Sequence, residues 1–290
     1  MSNQLIADGI LAGSIYVLIA VGFALAYRVS HFFNFTHGFV FTLGAYQAYL
    51  IHALVDSPLL ECIGALVVGT FAALLISEIL SKPLLRRRAS PLVSMLASLG
   101  IYVVGQNLVA IVFGDRSLTI HGPAVESGVD IFGARLTIVQ LFIIGSSWLV
   151  AFAVMFSIWI TRIGAQIRAL DNDRALAEIV GIPVTKVAAF GVAIGGALAG
   201  LAGFFTALDL DMAPNMGMAA LLIGIAAAIA GGRRRLALVS LAALSIGIAQ
   251  SASIFFVPAA WQESIAFIVL LLALTFQSRA NFLTAPRADA

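Results

Sequence analysis

Charge is what this chain has least of. Only 10% of its 290 residues are Asp, Glu, Lys or Arg, against 61% hydrophobic, and its mean hydropathy is +1.07. Soluble domains carry roughly 25% charged and 45–50% apolar residues, so a water-soluble globular fold is excluded. Cysteine is nearly absent. Cys62 stands alone, which rules out an intramolecular disulfide and leaves the redox compartment unconstrained. No G-x-x-x-x-G-K-[ST] loop occurs, so the chain cannot hydrolyse a nucleotide by the P-loop route on its own. H-E-x-x-H and G-x-S-x-G are missing too, and His31, His37, His52 and His121 show no mutual spacing that suggests a metal site. An intramembrane hydrolase is disfavoured, and no metal ligand or catalytic residue is assigned. There is no repeat of fixed period and no low-complexity linker, so residues 1–290 read as one domain.

What is present is apolar sequence in nine stretches, roughly 5–27, 32–53, 59–80, 91–113, 136–160, 184–208, 217–231, 236–257 and 262–277. Most approach the ~20 residues that a helix needs to cross hydrocarbon. AALLIGIAAAIAGG and SIAFIVLLLALTF are apolar on all sides, whereas barrel strands alternate. The expected fold is all-α and polytopic, with about 8–10 membrane segments. The 217–231 run is short enough to be re-entrant or broken.

Basic residues fall on alternate connections. Fourteen lie on one side: Arg28, Lys82, Arg86, Arg87, Arg88, Arg162, Arg168, Arg174, Lys186, Arg233, Arg234, Arg235, Arg279 and Arg287. Only Arg116 and Arg135 lie opposite, in a loop with Asp115, Glu126 and Asp130. The positive-inside rule makes the larger set cytoplasmic, with the N-terminus outside and the C-terminus inside. Asp56, Glu61, Asp209, Asp211 and Glu263 then fall at the outer face. Ala24-Leu25-Ala26 has the form of a signal-peptidase site, but no basic residue precedes the apolar run and that run is too long for a signal core, so the first stretch is expected to be a span.

Between spans, two segments stand out. The outer loop 114–135, rich in Gly and polar residues, reads as irregular with room for a short strand pair. Residues 161–186 read as helical, lying along the membrane face. Asp171, Asn172 and Asp173 are candidate N-caps, Ala175 to Val180 suit a helix, Gly181 suits the C′ position and Pro183 blocks continuation. The 184–208 span carries Gly191, Gly195, Gly196, Gly200 and Gly203, whose GxxxG spacings make a flat stripe for close packing, expected within the subunit ahead of a subunit interface. Glu78 is the only acid expected inside a span, within reach of Lys82. Uncharged polar groups are more numerous: Ser14, Tyr16, Asn34, Thr36, His37, Gln47, Gln106, Asn107 and Gln250. As a set they suit a path for a small polar or zwitterionic solute.

Gly13-Ser14-Ile15-Tyr16, Ala20-Val21-Gly22, Asn34-Phe35-Thr36-His37-Gly38 and Leu43-Gly44-Ala45-Tyr46 together resemble the N-terminal pattern of the branched-chain amino acid permease family of ABC importers. The likeness continues through Ser98-Leu99-Gly100 with Gln106-Asn107, Arg162-Ile163-Gly164, Arg168-Ala169, Gly181-Ile182 and Ala197 to Gly203. It departs at Gly231-Gly232-Arg233-Arg234-Arg235 and at Phe276-Gln277-Ser278-Arg279.

The resemblance implies an integral permease subunit of a bacterial inner membrane, paired with a second permease, two ATP-hydrolysing subunits and an external solute-binding protein. It would have no cofactor of its own and no nucleic-acid partner. Residues 171–181 would be the coupling helix, with Asp171, Asn172, Asp173, Arg174, Glu178 and Gly181 at the ATPase contact. Asn34, His37, Gln106 and Asn107 would line the path. Branched-chain amino acids are the expected solute class, with other amino acids, urea and short amides open. The leading alternative is a secondary transporter or channel for a small polar solute. That reading calls for buried ionisable groups or a selectivity ring, which the sequence lacks.

Overall fold

The computed structural model describes residues 2–87, 89–120, 128–131, 133–232 and 235–254, with single positions 264, 268 and 271 beyond. The rest of the apolar stretch 262–277 and the basic residues Arg88, Arg233, Arg234, Arg279 and Arg287 lie outside the described residues. In order, the helices are α1 (Ser2–Ser30), α2 (Thr36–Leu54), α3 (Pro58–Ile76), a π turn (Ser77–Ser81), α4 (Lys82–Arg86), α5 (Pro91–Phe113), α6 (Ile138–Ile160), α7 (Arg162–Asn172), α8 (Arg174–Ile179), α9 (Val184–Asp209), α10 (Met216–Ala230) and α11 (Leu236–Ser253). A hairpin of β1 (Gly128–Ile131) and β2 (Ala134–Thr137) precedes α6.

The protein is an all-α polytopic membrane protein. Among the described residues six helices are long and apolar enough to cross a bilayer: Asn3–Ser30, Pro58–Leu85, Pro91–Phe113, Ile138–Ile160, Val184–Asp209 and Leu236–Ser253. Two more stretches in the expected count have a different character. The 19 residues of α2 are mostly buried among other helices, and the 15 residues of α10 make a helix only about 22 Å long. The third apolar stretch runs further than expected, because α3 passes through the π turn into α4. A regular helix there would drive the Pro83 ring into the carbonyl of residue i−4, and the widened turn precedes that clash.

The core is built around α1 and α9. Val17 to Val21, Ala24 and Leu25 of α1 are all but inaccessible, which makes the first stretch an integral part of the bundle. The glycine stripe of α9 packs inside the subunit and meets three helices at once. Gly195 lies on the Gly22 carbonyl of α1, Gly196 and Gly200 lie on Gly69 of α3, and a Cβ at Gly203 would overlap the Phe41 carbonyl oxygen of α2. Removing side chains at these positions lets backbones touch, which gives the dispersion contact that holds helices together in lipid.

Around this core, α3, α5 and α6 are peripheral. They present Phe71 and Leu75, Val104 and Ile111, and Phe152 and Phe156 outwards. In water such a surface would aggregate; against acyl chains or another apolar protein surface it carries no penalty.

The strand pair expected in 114–135 is present. β1 and β2 are antiparallel with Gly128 opposite Thr137, and Gly133 supplies the positive φ of the turn (77°). Gln4 at the start of α1 clasps the hairpin: its Nε2 donates to the Arg135 carbonyl, and its Oε1 accepts from the Arg135 N–H. Thr137 and Gln140 then form a reciprocal capping box that starts α6.

Candidate functional site

The segment after α6 is shaped by its caps. Thr161 ends α6 and caps α7, its Oγ1 accepting from the Gly164 N–H at 3.1 Å. Along α7, Gly164, Ile167 and Leu170 face inward, while Arg168 donates back to the Ile158 carbonyl. The helix ends at Asn172. Asp173 is extended (φ −152°), and its Oδ1 accepts from the Leu176 N–H at 3.0 Å, starting α8. Of the three candidate caps Asp173 alone takes that role; Asp171 and Asn172 close α7 instead. The expected single helix over 171–181 is therefore α8 alone, separated from α7 by one extended residue.

Gly181 closes α8 at φ 88°. Its N–H donates to the Glu178 carbonyl, and the Ile182 N–H donates to the Ala177 carbonyl, the paired bonds of a Schellman motif. Arg174 and Glu178 form an i,i+4 ion pair at 3.7 Å. Three residues that the sequence reading did not single out form the outer face of α8: Leu176, Ile179 and Val180, with Ile179 81% exposed. They looked like ordinary helix positions, and only the outward orientation marks them.

The polar residues proposed for a path fall into two groups. Asn34 precedes α2, and its Oδ1 accepts from both the N–H and the hydroxyl of Thr36 at 3.1 and 2.7 Å. His37 is buried (4% exposed), with its ring engaged at the backbone of Ile19 and edge-on to Phe23. Its Nε2 has no hydrogen-bond partner among the described residues. Two positions further along α2, Phe39 meets Gly105 of α5. Residues i and i+2 point about 200° apart on a helix, so His37 looks toward α1 while Phe39 looks toward α5. Gln106, half-buried, and Asn107, exposed with its Nδ2 donating to the Val103 carbonyl, follow Gly105 on that other side. His37 and the Phe39–Gly105 contact therefore lie on different sides of α2, while the residues flanking Asn34 meet Ser98 of α5.

A cavity of about 240 Å³ lies between α1, α9, α10 and α11, with Tyr16, Thr206, Asp209 and Gln250 among its lining. Asp209 accepts from Gln140 Nε2 at 2.9 Å. Glu61, placed at the outer face by the charge pattern, is 1% exposed, whereas Glu78 is half-exposed and paired with Lys82.

The family model for the permease component of branched-chain amino acid transport systems matches residues 5–274. The chain belongs to that family. Among curated members of this permease family, the high-affinity branched-chain amino acid transport system permease protein LivH of Escherichia coli K12 is 27% identical over 93% of this chain and 92% of its own length. BraD of Pseudomonas aeruginosa, described in the same words, is 26% identical over 94% and 93%. A probable LivH of Methanocaldococcus jannaschii is 26% identical over 90% and 84%. Among solved structures, PsaBC from Streptococcus pneumoniae in complex with Fab superposes with a TM-score of 0.51 over 97% of this chain and 91% of that one, at 16% identity, which is a likeness of fold. Permease subunits, not enzymes, are therefore what the chain is similar to over residues 5–274.

Proposed function

We propose that this chain is the membrane-spanning subunit of an ATP-driven importer for branched-chain or related amino acids in a bacterial inner membrane. It works with a second permease, two ATP-binding subunits that carry all ATP chemistry, and an external solute-binding protein. The basic end of the bundle is cytoplasmic, with the N-terminus outside and the C-terminus inside. The solute class comes from the names of the LivH and BraD relatives.

One observation carries the coupling part of this reading. The short helix α8 is capped at both ends and turns Leu176, Ile179 and Val180 outward at the basic end of the bundle. A rigid apolar knob of this kind suits a cleft in a partner. Closure of the ATPases moves α8 about the extended Asp173, and α7 passes that motion to the ends of α6 and α1. Gln106 and Asn107 stand on the outer side of α5, so their part of the path lies between two permease subunits. His37 and Asn34 lie inside one subunit. A neutral hydrogen-bonding wall lets a zwitterionic solute leave again.

Proteoliposomes containing this permease, its paired permease, the ATPases and the binding protein test the reading. Uptake of labelled leucine should require internal ATP and external binding protein. Uptake by the permease alone, driven by an ion gradient, would overturn it in favour of a secondary transporter.

A further inference from the structure

Where α2 ends and α3 begins, three ligand-type side chains converge although the sequence assigns no metal site. His52 Nδ1 lies 3.0 Å from Glu61 Oε1 and 3.4 Å from Asp56 Oδ1. One ligand atom from each residue falls within 4.8 Å of the other two. His52 and Asp56 straddle the end of α2, and Glu61 belongs to the first turn of α3, fixed from behind by Gln47, whose Nε2 donates to the Glu61 carbonyl at 2.9 Å.

A single N–H does not satisfy this arrangement. One imidazole proton faces two carboxylates, and even a doubly protonated ring leaves one net negative charge. Glu61 is 1% exposed, yet its second carboxylate oxygen, Oε2, has no hydrogen-bond partner among the described residues. A buried carboxylate oxygen without a donor is costly, and a cation removes that cost. A neutral imidazole, two carboxylates and one divalent ion sum to zero charge. The spacing also fits, because tetrahedral zinc bonds of about 2.0–2.1 Å place ligand atoms roughly 3.3–3.4 Å apart. One imidazole nitrogen with two carboxylate oxygens suits zinc or a similar transition ion, with water at the fourth position.

We propose that His52, Asp56 and Glu61 form a zinc-type divalent metal site that clamps the end of α2 to the start of α3. The clamp closes across the short connection 55–57 and fixes the angle between two helices that both pack on the α9 spine. This inference stands apart from the transport reading, since its readouts are metal content and stability.

The test uses the full chain purified through a histidine-free affinity tag, stripped with chelator and re-equilibrated with Zn²⁺ or Co²⁺. Expected are one zinc per chain after desalting, a raised thermal midpoint that chelator reverses, and a Co²⁺ visible spectrum. His52→Gln and Asp56→Asn alter partly and largely exposed side chains and should leave a folded chain. Both should lose the zinc, the Co²⁺ spectrum and the thermal shift. Wild-type chain that retains no metal and melts at the same temperature with or without zinc overturns the proposal. So does zinc retained equally by both variants, which would place it elsewhere.

Discussion

The Nε2 atom of His31 lies 3.3 Å from the carbonyl oxygen of Leu170. This contact joins the turn after α1 to the last full turn of α7, directly before the Asp173 break. His31 holds a left-handed conformation (φ 58°), with its N–H donating to the Tyr27 carbonyl. Three residues on, Asn34 caps Thr36, and the Phe35 N–H donates to Ser98 Oγ of α5 at 3.0 Å. A continuous set of contacts thus runs from the segment that carries α8 to the starts of α2 and α5.

His31→Gly separates backbone from ring, because glycine adopts the left-handed conformation without cost. The variant should fold and insert normally. Its solute uptake per ATP hydrolysed should fall several-fold in proteoliposomes, and unchanged stoichiometry would remove the His31–Leu170 contact from the coupling route.

Gly181→Val should strain the Schellman turn by about 1–2 kcal/mol, since a β-branched residue tolerates positive φ poorly. Nothing crowds the Gly181 Cβ position, so the effect is conformational. Co-purification of the ATPases and substrate-stimulated ATP hydrolysis should both decline while membrane insertion persists.

Ile179→Asp acts differently, because an 81%-exposed side chain adds little to the isolated fold. The thermal midpoint of the permease should move by less than a degree or two, the small effect expected of surface changes. Binding of the ATPase subunits, measured by pull-down or titration, should weaken at least tenfold.

Gly203→Leu forces a side chain against the Phe41 carbonyl, where backbones are already in contact. Overpacking of this kind costs about 1–3 kcal/mol, more where backbone must move. Size-exclusion profiles should show loss of monodisperse protein, and equal recovery would contradict the packing described for α9.

Asn34→Leu and Gln106→Leu should part company. The first removes the acceptor of the Thr36 N–H and hydroxyl and should destabilise by about 1 kcal/mol, with flux falling further than the amount of folded protein does. The second alters a half-buried side chain on the outer side of α5. It should lower flux at an unchanged thermal midpoint when both are measured on the same preparation.

Much of the fold was legible because lipid imposes simple rules: long apolar runs became helices, and the glycines of α9 became a packing stripe. Gly181 before Pro183 announced the end of α8, and the Gly-rich loop announced the hairpin. Direction across long distances was not legible. Nothing in the local sequence says that Phe39 turns to Gly105 while His37 turns to Ile19, so the four polar residues looked like one set. The break at Asp173 depends on which of three adjacent polar residues takes the cap, and Ile167 and Leu170, packed inward on α7, settle that. The charge pattern places Glu61 at the outer face but says nothing of its burial, which His52 and Gln47 of the preceding helix create.

The brevity of α10 bears on how the chain enters the membrane. A segment of 15 apolar residues is shorter than the ~20 that an insertion machinery releases readily into lipid as an independent span. Its free end is met by residues synthesised much earlier: the Tyr102 hydroxyl donates to the Asn215 carbonyl, and Gly38 lies against Gly217. A helix this short is therefore held in the bundle by α1, α2 and α11, with Tyr102 of α5 at its start, rather than by its own span of hydrocarbon.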